Sequence, residues 1–197
     1  MKKLLALLLA LAMCVCVLTA CKDEEPSVGE KPVVEIVVQD FGTIKVELDP
    51  SAAPITVENF LKLVNEDFYD GLTFHRIIEG FMMQGGDPEG TGYGGSDETI
   101  KGEFSENGVD NPLSHTRGAI SMARSMDMNS ASSQFFIVHA DTYQSSLDGK
   151  YACFGYVIEG MDVVDAICEY SSTVVVDSNG TILPADQPII TEIRVVE

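Results

Sequence analysis

At 197 residues the chain has room for one ordinary domain and a short appendage. Hydrophobic residues make up 45% of it, which supplies a real core and excludes wholesale disorder. The formal net charge of −19 repels phosphate backbones, so the composition argues against a nucleic-acid partner.

Met1, Lys2 and Lys3 form a basic start, and residues 4–18 are almost continuously apolar. That run is about fifteen residues, short of the ~20 needed to span a bilayer as a helix. It ends in Leu18-Thr19-Ala20-Cys21, which resembles the bacterial lipobox. The resemblance implies that the Cys21 thiol takes a diacylglycerol group and that residues 1–20 are a removable leader. An ordinary secretory signal and an uncleaved anchor are the other two readings of the same run. Residues 21–32 are charged, carry Pro and Gly and lack periodicity, so they are expected to be a tether. The folded domain is then expected over 33–197.

Within that domain, residues 33–38 predict a strand. In 43–48 the pattern alternates cleanly, with Ile44, Val46 and Leu48 on one face. Pro54 opens a helix in which Val57, Phe60, Leu61 and Val64 recur at helical spacing. Further strands are predicted at 73–78, 81–84, 119–123, 134–139, 152–158 and 189–196, with a second helix at 161–169. Many short strands, Gly-rich turns and two helices predict a mainly β protein, a closed antiparallel barrel whose ends the helices cover. Cys153 and Cys168 fall in apolar periodic segments and are expected to be buried free thiols.

The segment from Phe74 to Asp87 contains Phe74-His75-Arg76, then Phe81, then Gln84-Gly85-Gly86-Asp87. It resembles the F-H-R-x-I-x-x-F-x-x-Q-G-G-D signature of the cyclophilin family of prolyl isomerases. Ser121-Met122-Ala123, Ser133-Gln134-Phe135-Phe136-Ile137, Leu147-Asp148-Gly149 and Phe154-Gly155 resemble further blocks of that family, in the same order. The resemblance covers about residues 34–196.

It implies an eight-stranded antiparallel barrel with two capping helices and a proline-binding groove on the outside. It also implies peptidyl-prolyl cis–trans isomerase activity without cofactor or metal, on proline-containing polypeptides. By position, the catalytic arginine is Arg76 and the backbone-binding glutamine is Gln84. The proline pocket falls on Phe81, Met82, Phe136 and Leu147. Ala123 and Arg124 supply a groove wall and main-chain contacts, with Gln134 beside them. Alternation places Phe74 and Phe135 in the core instead. With the leader in place, the expectation is a monomeric enzyme, lipid-anchored outside the cytoplasmic membrane, that assists folding of exported proteins. The alternative is a low-turnover module or holdase that binds proline segments.

Other signals are set aside. Gly90 to Gly95 satisfies G-x-G-x-x-G, but nothing after it predicts the helix a dinucleotide site needs. His75, His115 and His139 lack metal-ligand spacing, and there is no G-x-S-x-G nucleophile elbow. The chain also departs from the family pattern. Ser146 stands where a Trp or Phe is frequent, and Tyr151 where a His is, both on one groove wall. These changes count against binding of cyclosporin-type inhibitors, and Tyr143 is the residue that could supply the missing ring.

Overall fold

The computed structural model describes residues 31–196. The expected leader, Cys21 and nearly all of the tether lie outside the described residues.

Alternating apolar residues build the first hairpin, β1 (Val33–Val38) against β2 (Gly42–Leu48). Ile44, Val46 and Leu48 point inward and are fully buried, as the period of two requires. Six more strands follow: β3 (Thr73–Ile78), β4 (Met82–Asp87), β5 (Ala119–Met122), β6 (Phe135–Val138), β7 (Cys153–Glu159) and β8 (Ile190–Val195). All ladders are antiparallel, in the order β3-β4-β6-β5-β7-β2-β1-β8.

The barrel is nearly closed rather than fully closed. β3 and β8 meet through one bridge, Thr73 with Ile189, and a few backbone bonds such as Phe74 N–H to Pro188 O at 2.9 Å. Pro188 has no N–H with which to extend the ladder. The rest of the β3 edge is taken by the loop around residue 180 instead. Ile77 N–H reaches Gly180 O, and Ile182 N–H reaches His75 O, both at 2.9 Å. An otherwise bare strand edge is thereby covered.

Two longer helices cover the barrel, as predicted, and a third, single-turn helix adds to them. Helix α1 (Pro54–Asn65) buries Val57, Phe60, Leu63 and Val64. The Phe60 ring lies 5.2–5.6 Å from those of Tyr69, Phe135 and Phe154 in the barrel interior. Leu61 is only partly buried, so the apolar face is rotated toward Leu63. Helix α2 (Gln144–Leu147) is one turn in a stretch where the sequence pattern predicts no element. Helix α3 (Met161–Tyr170) buries Val164, Ile167 and Cys168. Cys153 and Cys168 are buried free thiols, and burial pushes both up to about 12, which keeps them protonated and inert.

Helix α1 has no side-chain cap of its own. Its first amides are served from 47 and 48 residues away by Glu103, which is 2% exposed. One carboxylate oxygen accepts from Ile55 N–H at 3.1 Å; the other accepts from Thr56 N–H at 2.8 Å and Thr56 Oγ1 at 2.7 Å. Negative charge at a helix N-terminus is favourable, and removing a buried acceptor strands its donors. Glu103→Ala is therefore expected to cost about 2–3 kcal/mol, read as a lower urea midpoint with unchanged slope. A loss below about 0.5 kcal/mol would show that the carboxylate is not what holds the helix.

Candidate active site

The strands that carry the site are buried on both faces. Met83, Ile120, Phe135, Ile137 and Phe154 fill the barrel, while their neighbours Met82, Ala119, Phe136, Val138 and Cys153 form a second apolar cluster. Successive side chains on a strand point to opposite sides, so this second cluster lies on the outer face. Leu147, from α2, joins it.

Register then assembles the site. Arg76 on β3 stands opposite Gln84 on β4, Gln84 stands opposite Phe136 on β6, and Phe136 stands opposite Ser121 on β5. Directly opposed residues share a face. Four strands thus place a cation, an amide and an aromatic ring in one outward row. Gly86 makes the end of β4 possible: its φ is +80°, and a Cβ there would stand 2.6 Å from Ser133 O.

The row borders a cavity of about 160 Å³ lined by Arg76, Phe81, Met82, Gln84, Ala123, Arg124, Phe136, Leu147 and Tyr151. Drug-sized ligands occupy about 300–1,000 Å³, so this is a slot for one small side chain. All the predicted pocket residues meet here except Gln134, which stands one hydrogen bond away. Arg76 Nη1 donates to Gln84 Oε1 at 3.2 Å, Gln84 Nε2 donates to Gln134 Oε1 at 2.8 Å, and Gln134 Nε2 donates to Gly94 O at 2.7 Å. One Gln84 N–H is left over for a ligand.

Arg76 is half-buried and makes no contact with a carboxylate among the described residues. Burial pulls its pKa below the ordinary value, with Tyr151 and Asp177 opposing, yet a guanidinium stays charged in any protein. Its Nε donates to Asn179 O at 2.7 Å, and its carbon sits 5.9 Å from the centre of the Phe81 ring. The Asn179 contact was not foreseen. Asp177 to Gly180 reads as a turn, but its destination, 103 residues from Arg76, is a matter of tertiary packing. Gly180 seals the position, since its φ is +84° and a Cβ would stand 2.4 Å from the Ile78 side chain.

The altered wall is built from two tyrosines. Tyr151 lines the slot and packs edge-on to Phe136 at 5.8 Å. Tyr143 lies 4.5 Å from Phe81, ring to ring, while Ser146 is exposed. Arg124 contributes more than main chain. Its Nε donates to Lys150 O at 2.9 Å and its Nη1 to Ser125 O at 2.8 Å.

The glycine-rich segment is a loop that opens no helix. Buried Asp87 holds it, accepting from the amides of Glu89 at 2.8 Å, Thr91 at 2.9 Å and Gly92. Burial alone would push this carboxyl up; the amides outweigh that and hold it below the usual carboxylate range.

Two buried histidines flank the site. His115 stacks on Phe136, with Nδ1 2.8 Å from Asp148 Oδ1 and Nε2 2.9 Å from Ser121 Oγ. His75, behind Arg76, has no hydrogen-bond partner for either ring nitrogen. Burial lowers the pKa of both, against the pull of Asp148 and Asp87 respectively. A histidine whose folded pKa is depressed binds its proton more readily when unfolded. Stability is thus fully present above the unfolded value of about 6.5 and declines as pH falls through it, by at most about 1.4 kcal/mol per pH unit for each ring. Melting temperature should drop between about pH 7.5 and about pH 5.5, with a shallower slope in His75→Phe. An identical slope in that variant would remove His75 from this account.

Comparison with known proteins agrees with this geometry. The family model described as cyclophilin type peptidyl-prolyl cis-trans isomerase/CLD matches residues 33–195. Peptidyl-prolyl cis-trans isomerase B of Bacillus subtilis is 50% identical over 125 residues, covering 64% of this chain and 82% of that protein. Peptidyl-prolyl cis-trans isomerase A of Dickeya dadantii is 42% identical over 135 residues, covering 65% and 67%. A cyclophilin type isomerase of Cryptosporidium parvum, solved in the presence of the dipeptide Ala-Pro, superposes with a TM-score of 0.72 at 30% identity, covering 84% and 99%. The family match over nearly all the described residues, on a barrel carrying this outward slot, means that the chain belongs to the cyclophilin-type peptidyl-prolyl cis–trans isomerases.

Proposed function

We propose that this cyclophilin accelerates isomerisation of peptide bonds preceding proline in exported polypeptides, with Arg76 as the group that favours the twisted amide. The observation that carries the reading is a guanidinium with no carboxylate partner among the described residues, set at a slot walled by Phe81, Met82, Phe136 and Leu147 and sized for one small ring.

Rotation about a peptide bond crosses about 18–20 kcal/mol because resonance makes the C–N bond partly double. Before proline both isomers are populated, but they exchange over tens to hundreds of seconds. Midway through rotation the nitrogen regains its lone pair, which the flat ground states do not offer. An Arg76 N–H donated to that lone pair is an interaction made only in the transition state, the kind that raises turnover. A charge-assisted hydrogen bond nets about 1.5–3 kcal/mol, or roughly 10–150-fold in rate. The remainder comes from fixing the proline ring against Phe81, Met82, Phe136 and Leu147 and excluding water there. Gln84, with its spare N–H, and the main chain at Ala123 and Arg124 hold the preceding carbonyl while it turns. No nucleophile or proton transfer is involved.

Arg76→Ala is expected to lower kcat/KM on an Ala-Pro peptide by about 10–150-fold, measured by NMR exchange. Arg76→Lys restores little, since a point charge lacks the held planar fork. Equal exchange rates in native protein and Arg76→Ala would falsify the catalytic role and leave a proline-binding module.

The location of this activity follows, in the same proposal, from the N-terminal pattern. A leader over 1–20 directs export, and a diacylglycerol group on the Cys21 thiol holds the domain at the membrane; stable anchoring takes more than one acyl chain. Mass spectrometry of membrane-extracted protein should find a lipid-modified Cys21 as the first residue, and Cys21→Ser should shift the domain to the soluble fraction. An unmodified Cys21 in the membrane sample refutes the anchor.

A further inference from the structure

The acidic protein presents an unpaired second cation beside its slot. Lys31, Lys45, Lys62, Arg117 and Arg194 each contact a carboxylate. Arg124, like Arg76, Lys101 and Lys150, contacts none among the described residues, and of these four only Arg76 and Arg124 line the slot. Its fixed partners are neutral: the carbonyls of Lys150 and Ser125, and the rings of Phe104 and Tyr151 at 5.1 and 4.8 Å. The carboxylate of Asp127, three residues on, accepts from the Asn129 amide at 2.8 Å instead. Two carbonyl bonds use two of the five N–H donors of a guanidinium, so the others remain free.

Position adds to charge. Arg124, with Gln84 and Ala123, lines both the slot and an adjoining groove of about 470 Å³. The rest of that groove carries no charge, with Tyr93, Ser125, Ser130, Ser132 and Gln134 along it. A chain with its proline in the slot carries its neighbouring residues over Arg124, since two residues of extended chain span about 7 Å.

We propose that Arg124 makes this isomerase selective for prolines that have a glutamate or aspartate within two residues. The proposal rests on the isomerase reading and adds a substrate class to it. The held guanidinium costs little further ordering when a carboxylate arrives, and a planar fork matches a carboxylate with two parallel bonds. The surface as a whole favours the opposite, because a net charge of −19 attracts cationic peptides. Magnitudes decide between them. The screening length at physiological ionic strength is about 8 Å, so the distant surface is muted while a contact at Arg124 is not.

The test scans alanine, glutamate and lysine through the two positions on either side of proline in a short peptide. Exchange is measured by NMR at about 0.15 M salt. At one or more positions glutamate should exceed lysine in kcat/KM by about fivefold or more. In Arg124→Gln that ratio should fall toward one, and Arg124→Lys should keep part of it. The ratio is read within each variant, so a general loss of activity does not mimic the effect. Exchange on the alanine peptide with no preference for glutamate at any position overturns the proposal and leaves the isomerase reading intact. A ratio unchanged in Arg124→Gln overturns it as well. No exchange on any peptide defeats the isomerase reading and the proposal with it.

Discussion

The slot depends on strands β4, β6, β5 and β7 carrying apolar side chains on the outer face as well as the inner one. A half-solvated antiparallel sheet would send polar side chains outward at Met82, Phe136, Val138 and Cys153. Here those side chains are apolar, and they are buried by Leu147, Tyr151 and the loops around them. The barrel therefore has a second, outer core, and the slot is the place where that outer core stops short of closing. Its walls are packed side chains with a cation at the rim, which is why the slot is small and its members have little room to move.

Charge is arranged with the same economy. Lys31, Lys45, Lys62, Arg117 and Arg194 contact carboxylates, whereas the two guanidiniums at the slot are held by carbonyls, by an amide and by aromatic rings. Neutral partners fix the geometry without cancelling the charge. A carboxylate in place of Asn179 O would orient Arg76 equally well, yet under the proposed mechanism it would compete with the developing lone pair of the amide. The carbonyl on Arg76 comes from Asn179, 103 residues along the chain, so the positioning of Arg76 depends on the segment that also covers the bare edge of β3.

How much of this was legible beforehand depends on the range of the interaction. Local periodicity located all eight strands and both longer helices to within a few residues, because period 2 and period 3.6 are written in neighbouring side chains. The family signature brought together Arg76, Phe81, Gln84, Phe136 and Leu147 as one set. Alternation alone separated Phe135 from Phe136. By contrast, the seam between β3 and β8 depends on which segment reaches an edge first. Pairing of residues 180–182 with β3 leaves no trace in local pattern. Helix α2 is a single turn, too short for a period to register.

What the sequence by itself determined, then, was the elements and the faces they bury, since each follows from the chemistry of a few adjacent side chains; the slot's residues were named by the resemblance to the family and not by local pattern. Tertiary structure alone decided how that slot is finished. It set Asn179 O on Arg76, Glu103 under α1 and Tyr143 against Phe81, and it left Arg124 held by carbonyls and rings. Those contacts join residues up to about a hundred positions apart, and closing such loops is governed by the packing of the whole barrel rather than by any local preference.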